Sequence, residues 1–429
     1  MTSIDQAYTD LPPEAAAAFR RLGHLPGRHS FNPDVVAAVC AVDRTEATRL
    51  LEILLSASLV QDLRADGDRN RPLTCGFHDA VRALARERAG EEPQAVREVL
   101  RRWVEWYLFA ATAAEARLTP SHRTMPRTPR YIVTGPALFD QDTDQEVVEW
   151  LDRHRADLLA AADLTSAARW HDLGWQLPDA MWPLFRIRRH HEDWVTVHEE
   201  IGLPAAEQDR NRPAVRRMLT TLGGGLRSLG RYDEALEQYG QALTSARQDK
   251  ARQDEAQALD GIGEVHRQAG RTSQAVTPLI QALAIRKKIG YVRGAALTRL
   301  KLGQIAADSG KWHDALTHLT RARFDLRGES DPYDAARALA HMGRTYTLAG
   351  HYAEGIAHLR RAEQEFTAAG SRHWQARTRE WTGAAAYNQG RTKVAREHLT
   401  AAREMYEHLH STRDIARIDQ HLLALDEAG

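Results

Sequence analysis

The sequence predicts an all-α protein: a right-handed superhelical solenoid of paired helices behind a small N-terminal head. Three observations carry this. Glycine recurs with a period of forty, at Gly223, Gly263, Gly303, Gly343 and Gly383 and again at Gly230, Gly270, Gly310, Gly350 and Gly390. Alanine keeps the same period at Ala235, Ala275, Ala315 and Ala395, with Gly355 in the one gap, and at Ala242, Ala282, Ala322, Ala362 and Ala402. Residues 10–90 lack this repeat and carry other signals. A repeat of this length is one helix pair that cannot bury its apolar face alone and must stack on its neighbours.

The head comes first along the chain. Pro12-Pro13 opens a helix that runs to Leu22, since proline fits a first turn. Asn32-Pro33-Asp34 starts a second helix through Val42. Asp43 with Glu46 forms a capping box for a third, Arg44 to Ser58. Leu59–Leu63 and Leu73–Phe77 read as short strands around a polar turn at 65–72, and three helices with a two-stranded wing make a winged-helix-like head. Phe77-His78-Asp79 then leads into a helix through Ala89.

Residues 91–167 read as a helical connector. Thr119 to Asp144 holds Pro120, Pro126, Pro129 and Pro136 and reads as a linker or lid, with Tyr131, Ile132, Leu138 and Phe139 expected to pin it to the helical body.

From residue 168 the repeats take over, to 427. The first glycine row is expected where two helices approach closely, and the second where a helix ends in a left-handed residue. The aromatic two residues after the second row, as in Tyr232, Trp312 and Tyr352, is expected to plug the gap between paired helices. One step back, His190 to Trp194 keep the polar turn and the aromatic. Residues 168–207 are therefore expected to form a sixth, degenerate pair that caps the array. The rows Leu222-Gly223, Gly230, Tyr232, Ala235, Tyr239 and Ala242 resemble the small–large–small pattern of tetratricopeptide (TPR) repeats. The period is longer than is usual for that family, and its terminal proline is missing.

Further strings carry a second resemblance. Phe77-His78-Asp79-Ala80-Val81-Arg82-Ala83-Leu84 resembles the end of the winged-helix subdomain in NB-ARC–TPR signalling ATPases of the STAND class. Trp103-Val104-Glu105-Trp106-Tyr107-Leu108, Val148-Glu149-Trp150-Leu151-Asp152 and Ala180-Met181-Trp182-Pro183-Leu184-Phe185 agree with the actinobacterial antibiotic-regulator members. The likeness runs from about residue 10 to the end and implies a regulatory role beside specialised metabolism. The family's nucleotide-binding core lies ahead of its winged helix. No Gly-x-x-x-x-Gly-Lys-Ser/Thr loop occurs in these 429 residues. The family's histidine at the place of His78 senses a phosphate; here His78 is expected to be structural, or a relic that caps the helix that follows.

Composition narrows the function. Hydrophobic residues make up 43% and charged residues 27%, and the formal net charge is zero. Residues 1–90 carry eleven Arg and no Lys against twelve acids, which disfavours a DNA reader in the head. With two cysteines and no CxxC pair, a disulfide framework is not expected. No leader and no spanning apolar run are present, so a cytoplasmic protein is expected. His191 and His198 stand seven apart, about 10.5 Å along a helix, too far to share one ion at ~2.1 Å. His408 and His410 point to different helical faces. No metal or other cofactor is expected. Nor is a nucleophile motif present, so the chain reads as a non-enzyme.

The groove is the remaining candidate. First-helix positions near the glycine row give Arg267, Gln304, Arg337, His341, Arg344, Arg377, Trp381, Tyr387 and Asn388 as ligand-binding residues, with Arg217, Arg227, Gln257 and Thr347 beside them. Asp260, Glu264, Asp308 and Glu380 interrupt this basic row. Guanidinium forks and amides suit carboxylates and peptide backbone. The expected partner is a peptide, a protein or a small effector, not nucleic acid or membrane. Two alternatives stay open: a DNA-binding regulator acting through the head, and a groove enzyme using His341, Tyr346, Arg344 and Tyr387.

Overall fold

The computed structural model describes residues 3–26, 30–64, 73–90, 93–131, 138–409 and 411–427. The polar turn expected at 65–72, Ile132 and His410 lie outside the described residues. Among the described residues the chain is all-α apart from three two-residue strands, and it forms two compact units, Met1–Leu229 and Gly230–Gly429. Among the described residues no helix is long and apolar enough to cross a membrane.

The first unit opens with α1 (Ser3–Thr9), α2 (Pro13–Gly23), β1 (Ser30–Phe31), α3 (Pro33–Cys40), α4 (Arg44–Ser56), β2 (Gln61–Asp62), β3 (Cys75–Gly76) and α5 (Asp79–Ala89). The strands pair antiparallel in the order β1-β3-β2, with Ser30 opposite Gly76 and Gln61 opposite Gly76 on the other edge. The sequence signals missed β1, which is too short to show alternation. Asn32 caps α3 by accepting from Val35 N–H at 2.9 Å. Asp43 caps α4 by accepting from Glu46 N–H at 2.8 Å, but the Glu46 carboxylate turns to Arg49 instead of completing a box. Buried Ala47, Leu50, Leu51 and Leu54 turn α4 inward. His78 stands at the N-cap of α5, exposed, and its side chain makes no capping bond, which removes the capping alternative.

α6 (Pro93–Leu118), α7 (Asp144–Arg153), α8 (Arg155–Ala167), α9 (His171–Ala180), α10 (Trp182–Arg188), α11 (His191–Thr196), α12 (Leu203–Gln208) and α13 (Arg212–Ser228) complete the unit, with a π-helical turn at Val197–Gly202. The proline-rich segment after α6 is held mainly by charge. Arg127 reaches Glu115 at 2.8 Å and Asp179 at 2.9 Å, and both carboxylates are fully buried. Arg217 holds the other oxygen of Asp179 and donates to His122 Nε2 at 3.2 Å. His122 Nδ1 closes the ring on Glu115 at 3.2 Å, and its imidazole stacks on Trp182 at 4.0 Å. Phe139 is buried edge-on to Trp150, and Tyr131 lies under Arg102. Arg217 thus belongs to this buried ring and not to a groove.

The second unit is regular. α14 (Tyr232–Gln248), α15 (Arg252–Gln268), α16 (Thr272–Lys288), α17 (Val292–Asp308), α18 (Trp312–Gly328), α19 (Pro332–Leu348), α20 (Tyr352–Ala368), α21 (Arg372–Asn388) and α22 (Thr392–His408) have 17 residues each, and α23 (Thr412–Glu427) has 16. Within the unit each packs on its chain neighbours, and α15, α17, α19, α21 and α23 also pack each on the next. The first glycine row permits this. A Cβ on Gly303 would stand 2.7 Å from Leu319 Cγ, and one on Gly343 would stand 2.9 Å from the Gly355 carbonyl oxygen. Tyr232, Trp312 and Tyr352 open the second helices half-buried.

Helix ends follow one rule. The second glycine row is left-handed throughout, from φ 72° at Gly390 to 86° at Gly350. The N–H one residue later bonds back over the last turn, as Arg271 to His266 O at 2.8 Å and Lys311 to Ala306 O at 2.9 Å. An intervening row that the glycine pattern hid does the same: Arg210, Lys250, Gly290, Ser330 and Gly370 are also left-handed. Further back the left-handed residue is Arg189 and not His190. The π-helical turn at Val197–Gly202 accounts for the offset, because such a turn absorbs one extra residue.

Candidate functional site

The first helices of the second unit meet in a fixed register. A residue on one faces the residue thirty-seven positions on in the next, as in the pairs Gln304–His341, Arg377–Asp414 and Glu380–Arg417. Arg337 over Trp374 and Arg344 over Trp381 keep it, at 5.4 and 5.6 Å from the ring centroids. The forty-residue period less one helical turn gives this spacing.

At the centre stands His341 on α19, half-buried. Its ring lies 5.1 Å from Trp381 and 5.7 Å from Trp374, centroid to centroid. Trp374 rests in turn on buried Phe366 at 5.4 Å. Gln304 Nε2 stands 2.9 Å from His341 Nε2, so the amide donates and the neutral ring accepts. Burial and then Arg337, Arg344, Arg267 and Arg377 hold this imidazole well below the usual histidine range.

Each of those arginines has an acidic partner. Arg267 takes Glu264 with both prongs at 2.9 and 2.7 Å, Arg337 takes Asp334, and Arg344 takes Asp308 at 2.8 Å. Arg377 and Arg417 share Asp414 at 2.7 and 2.6 Å. Burial pushes the Asp414 carboxyl up, but bonds from His373 and Ser411 and the charges of Arg377 and Arg417 outweigh it and hold the group far below the ordinary range. The acids that interrupt the basic row in sequence are thus its ion-pair partners in space. Asp260 works alike further along. Burial would raise it, while Arg286 and Lys301 hold it ionised.

Seven of the nine predicted residues share this wall: Arg267, Gln304, Arg337, His341, Arg344, Arg377 and Trp381. Tyr387 and Asn388 stand exposed in the last turn of α21, about 9 Å of helix beyond Trp381. Gln257 accepts from Arg286, and the Thr347 hydroxyl donates to the Arg344 carbonyl of its own helix. The groups considered for catalysis do not converge: Tyr346 packs against His351 and His358 on the α20 side. Trp374, Asp334, Asp414 and Arg417 escaped the sequence reading; a search at spacing thirty-seven would have found all but Asp334, which pairs with Arg337 three residues on. Among the described residues no cluster of three or more His, Cys, Asp or Glu could hold a metal ion.

Comparison with known proteins bears on the fold. Residues 214–288 match the tetratricopeptide repeat family. No curated protein matches the chain. Among solved structures, a Rap protein complexed with Competence and Sporulation Factor is 10% identical. The match covers 81% of this chain and 92% of that one, with a TM-score of 0.50. A STAND protein with a tetratricopeptide repeat sensor from Pyrococcus horikoshii is 14% identical over 97% of this chain and 61% of its own, with a TM-score of 0.47. BtubC from P. vanneervenii is 18% identical over 51% of this chain and 92% of its own, with a TM-score of 0.44. At these identities the likeness is one of fold, and the fold is a TPR-like superhelix.

Proposed function

We propose that this chain is a regulatory, partner-binding TPR protein that recognises a peptide, a protein or a small effector on the first-helix wall of its second unit. The observation that carries the reading is the cluster around His341. Four helices bring guanidiniums, an amide and two tryptophan rings to one place, a set suited to recognition and lacking a nucleophile. The Rap protein of similar fold was solved with Competence and Sporulation Factor bound, which favours a ligand-binding reading over a catalytic one. In this reading 10–90 is a winged-helix-like head, 91–167 a helical connector, and 168–427 six helix pairs of a cytoplasmic regulator related to STAND proteins. The head's charge balance leaves no reason to prefer DNA.

The test is affinity capture from native lysate with wild type and Arg337→Glu/Arg344→Glu/Arg377→Glu. Circular dichroism checks that the variant folds. A partner held by wild type and lost from the folded variant supports the wall as the binding site; equal capture by both, or none, sinks it.

A further inference from the structure

What the wall binds can be narrowed, and the argument rests on the reading above. Arg337 and Arg344 are the guanidiniums nearest to being free. Arg337 spends one nitrogen on Asp334, and its buried Nε has no partner. Arg344 spends one nitrogen on Asp308, and its side chain keeps 30% of its exposure. Each plane lies over a tryptophan ring, which fixes its direction without using its N–H groups. Between them His341 is committed to Gln304 and stays neutral, so it adds no charge. After burial, the charged groups acting most strongly on its ring are all guanidiniums.

Spacing supplies the second half. Arg337 and Arg344 are seven residues apart on α19, about 10.5 Å of helix axis. A polyproline-II chain, at ~3.1 Å per residue and three residues per turn, spans about 9.3 Å in three residues and turns side chains three apart to the same side. We propose that the wall binds a peptide segment in polyproline-II conformation carrying two carboxylates three residues apart, one seated on Arg337 and one on Arg344, with His341 between them. Carboxylates fit because each offers two oxygens in a plane to a guanidinium fork.

The test uses the full chain and three fluorescein-labelled peptides in a glycine–serine background, read by anisotropy. One carries Glu at positions three apart, one carries Gln at those positions, and one carries two adjacent Glu. The first is expected to bind about tenfold more tightly than either of the others. Arg337→Gln/Arg344→Gln should reduce it to the level of the Gln peptide. Where that variant fails to fold, Arg344→Lys keeps the charge and removes the fork, and should still cost several-fold. Equal binding of the Glu and Gln peptides overturns the carboxylate proposal while leaving a peptide-binding wall. Equal binding of the two Glu peptides, or displacement by inorganic phosphate at the peptide's own affinity, overturns the spacing. Binding by none of them overturns the proposal too, and lysate capture, which presumes no ligand chemistry, still decides the wider reading.

Discussion

Arg344 on α19 lies 5.6 Å over the ring of Trp381 on α21, with the imidazole of His341 5.1 Å from the same ring. Burial first, and then a guanidinium so placed, oppose protonation of the histidine. The His341 ring should therefore fail to titrate near ~6.5, where an ordinary histidine does. Arg344→Gln removes one positive neighbour and should raise its midpoint. Imidazole nitrogen shifts in NMR report both. A ring that titrates normally in wild type would show that neither burial nor the arginines govern it.

The buried ring of charge in the first unit predicts a large penalty for one substitution. Arg127→Met leaves Glu115 with only His122 and takes one of two guanidiniums from Asp179. Removing one partner from such a buried set costs roughly 3–5 kcal/mol. Urea unfolding measures it, and limited proteolysis should show faster cleavage within 119–131. A loss under ~1 kcal/mol would mean that water reaches the carboxylates.

His198 sets an acid limit on stability. It is fully buried, its Nδ1 donates to the Trp194 carbonyl at 2.9 Å, and its Nε2 has no partner. Burial pushes its pKa down to about 4. With the folded value below the unfolded ~6.5, the unfolded chain binds the extra proton between the two. Stability is thus complete above ~6.5 and falls as pH drops towards about 4, by roughly 3 kcal/mol in all. His198→Leu should flatten this part of the curve in denaturant titrations at stepped pH.

The two glycine rows should fail in different ways. Gly303→Ala places a methyl 2.7 Å from Leu319 Cγ and should cost about 1–3 kcal/mol through overpacking between α17 and α18. Gly310→Ala has room, with nothing nearer than Trp312 at 3.9 Å, but its φ of 73° is strained for alanine, at about 1–2 kcal/mol. A crystal structure would show α18 displaced in the first and unchanged in the second.

Much of the fold was legible because Gly303 and Gly310 each have one physical reason to be glycine, repeated every forty residues. Most of the wall was legible for the same reason, since it lies at fixed offsets from that row. Its electrostatics were not. Arg377 and Asp414 look unrelated in sequence because no local rule joins residues thirty-seven apart; only the packing of one first helix on the next does. Lys250 and Ser330 hid a second row of left-handed caps, because the backbone there accepts a side chain at modest strain. Leu138 and Phe139 pin this segment as expected, but the hold of Arg127 on two buried carboxylates was not legible, since an arginine among prolines gives no hint of Glu115 and Asp179 elsewhere.

The register between first helices has a consequence for how such a chain can change over generations. Every cross-helix pair is carried by two copies of one forty-residue module, so duplicating a whole module in frame supplies both halves of each new contact. Deleting one removes both halves together. Length is therefore free to drift, while a single-residue insertion inside a module severs every pair that spans it. The one such offset among the described residues, between Arg189 and Arg210, precedes the wall and is absorbed where the backbone widens at Val197–Gly202.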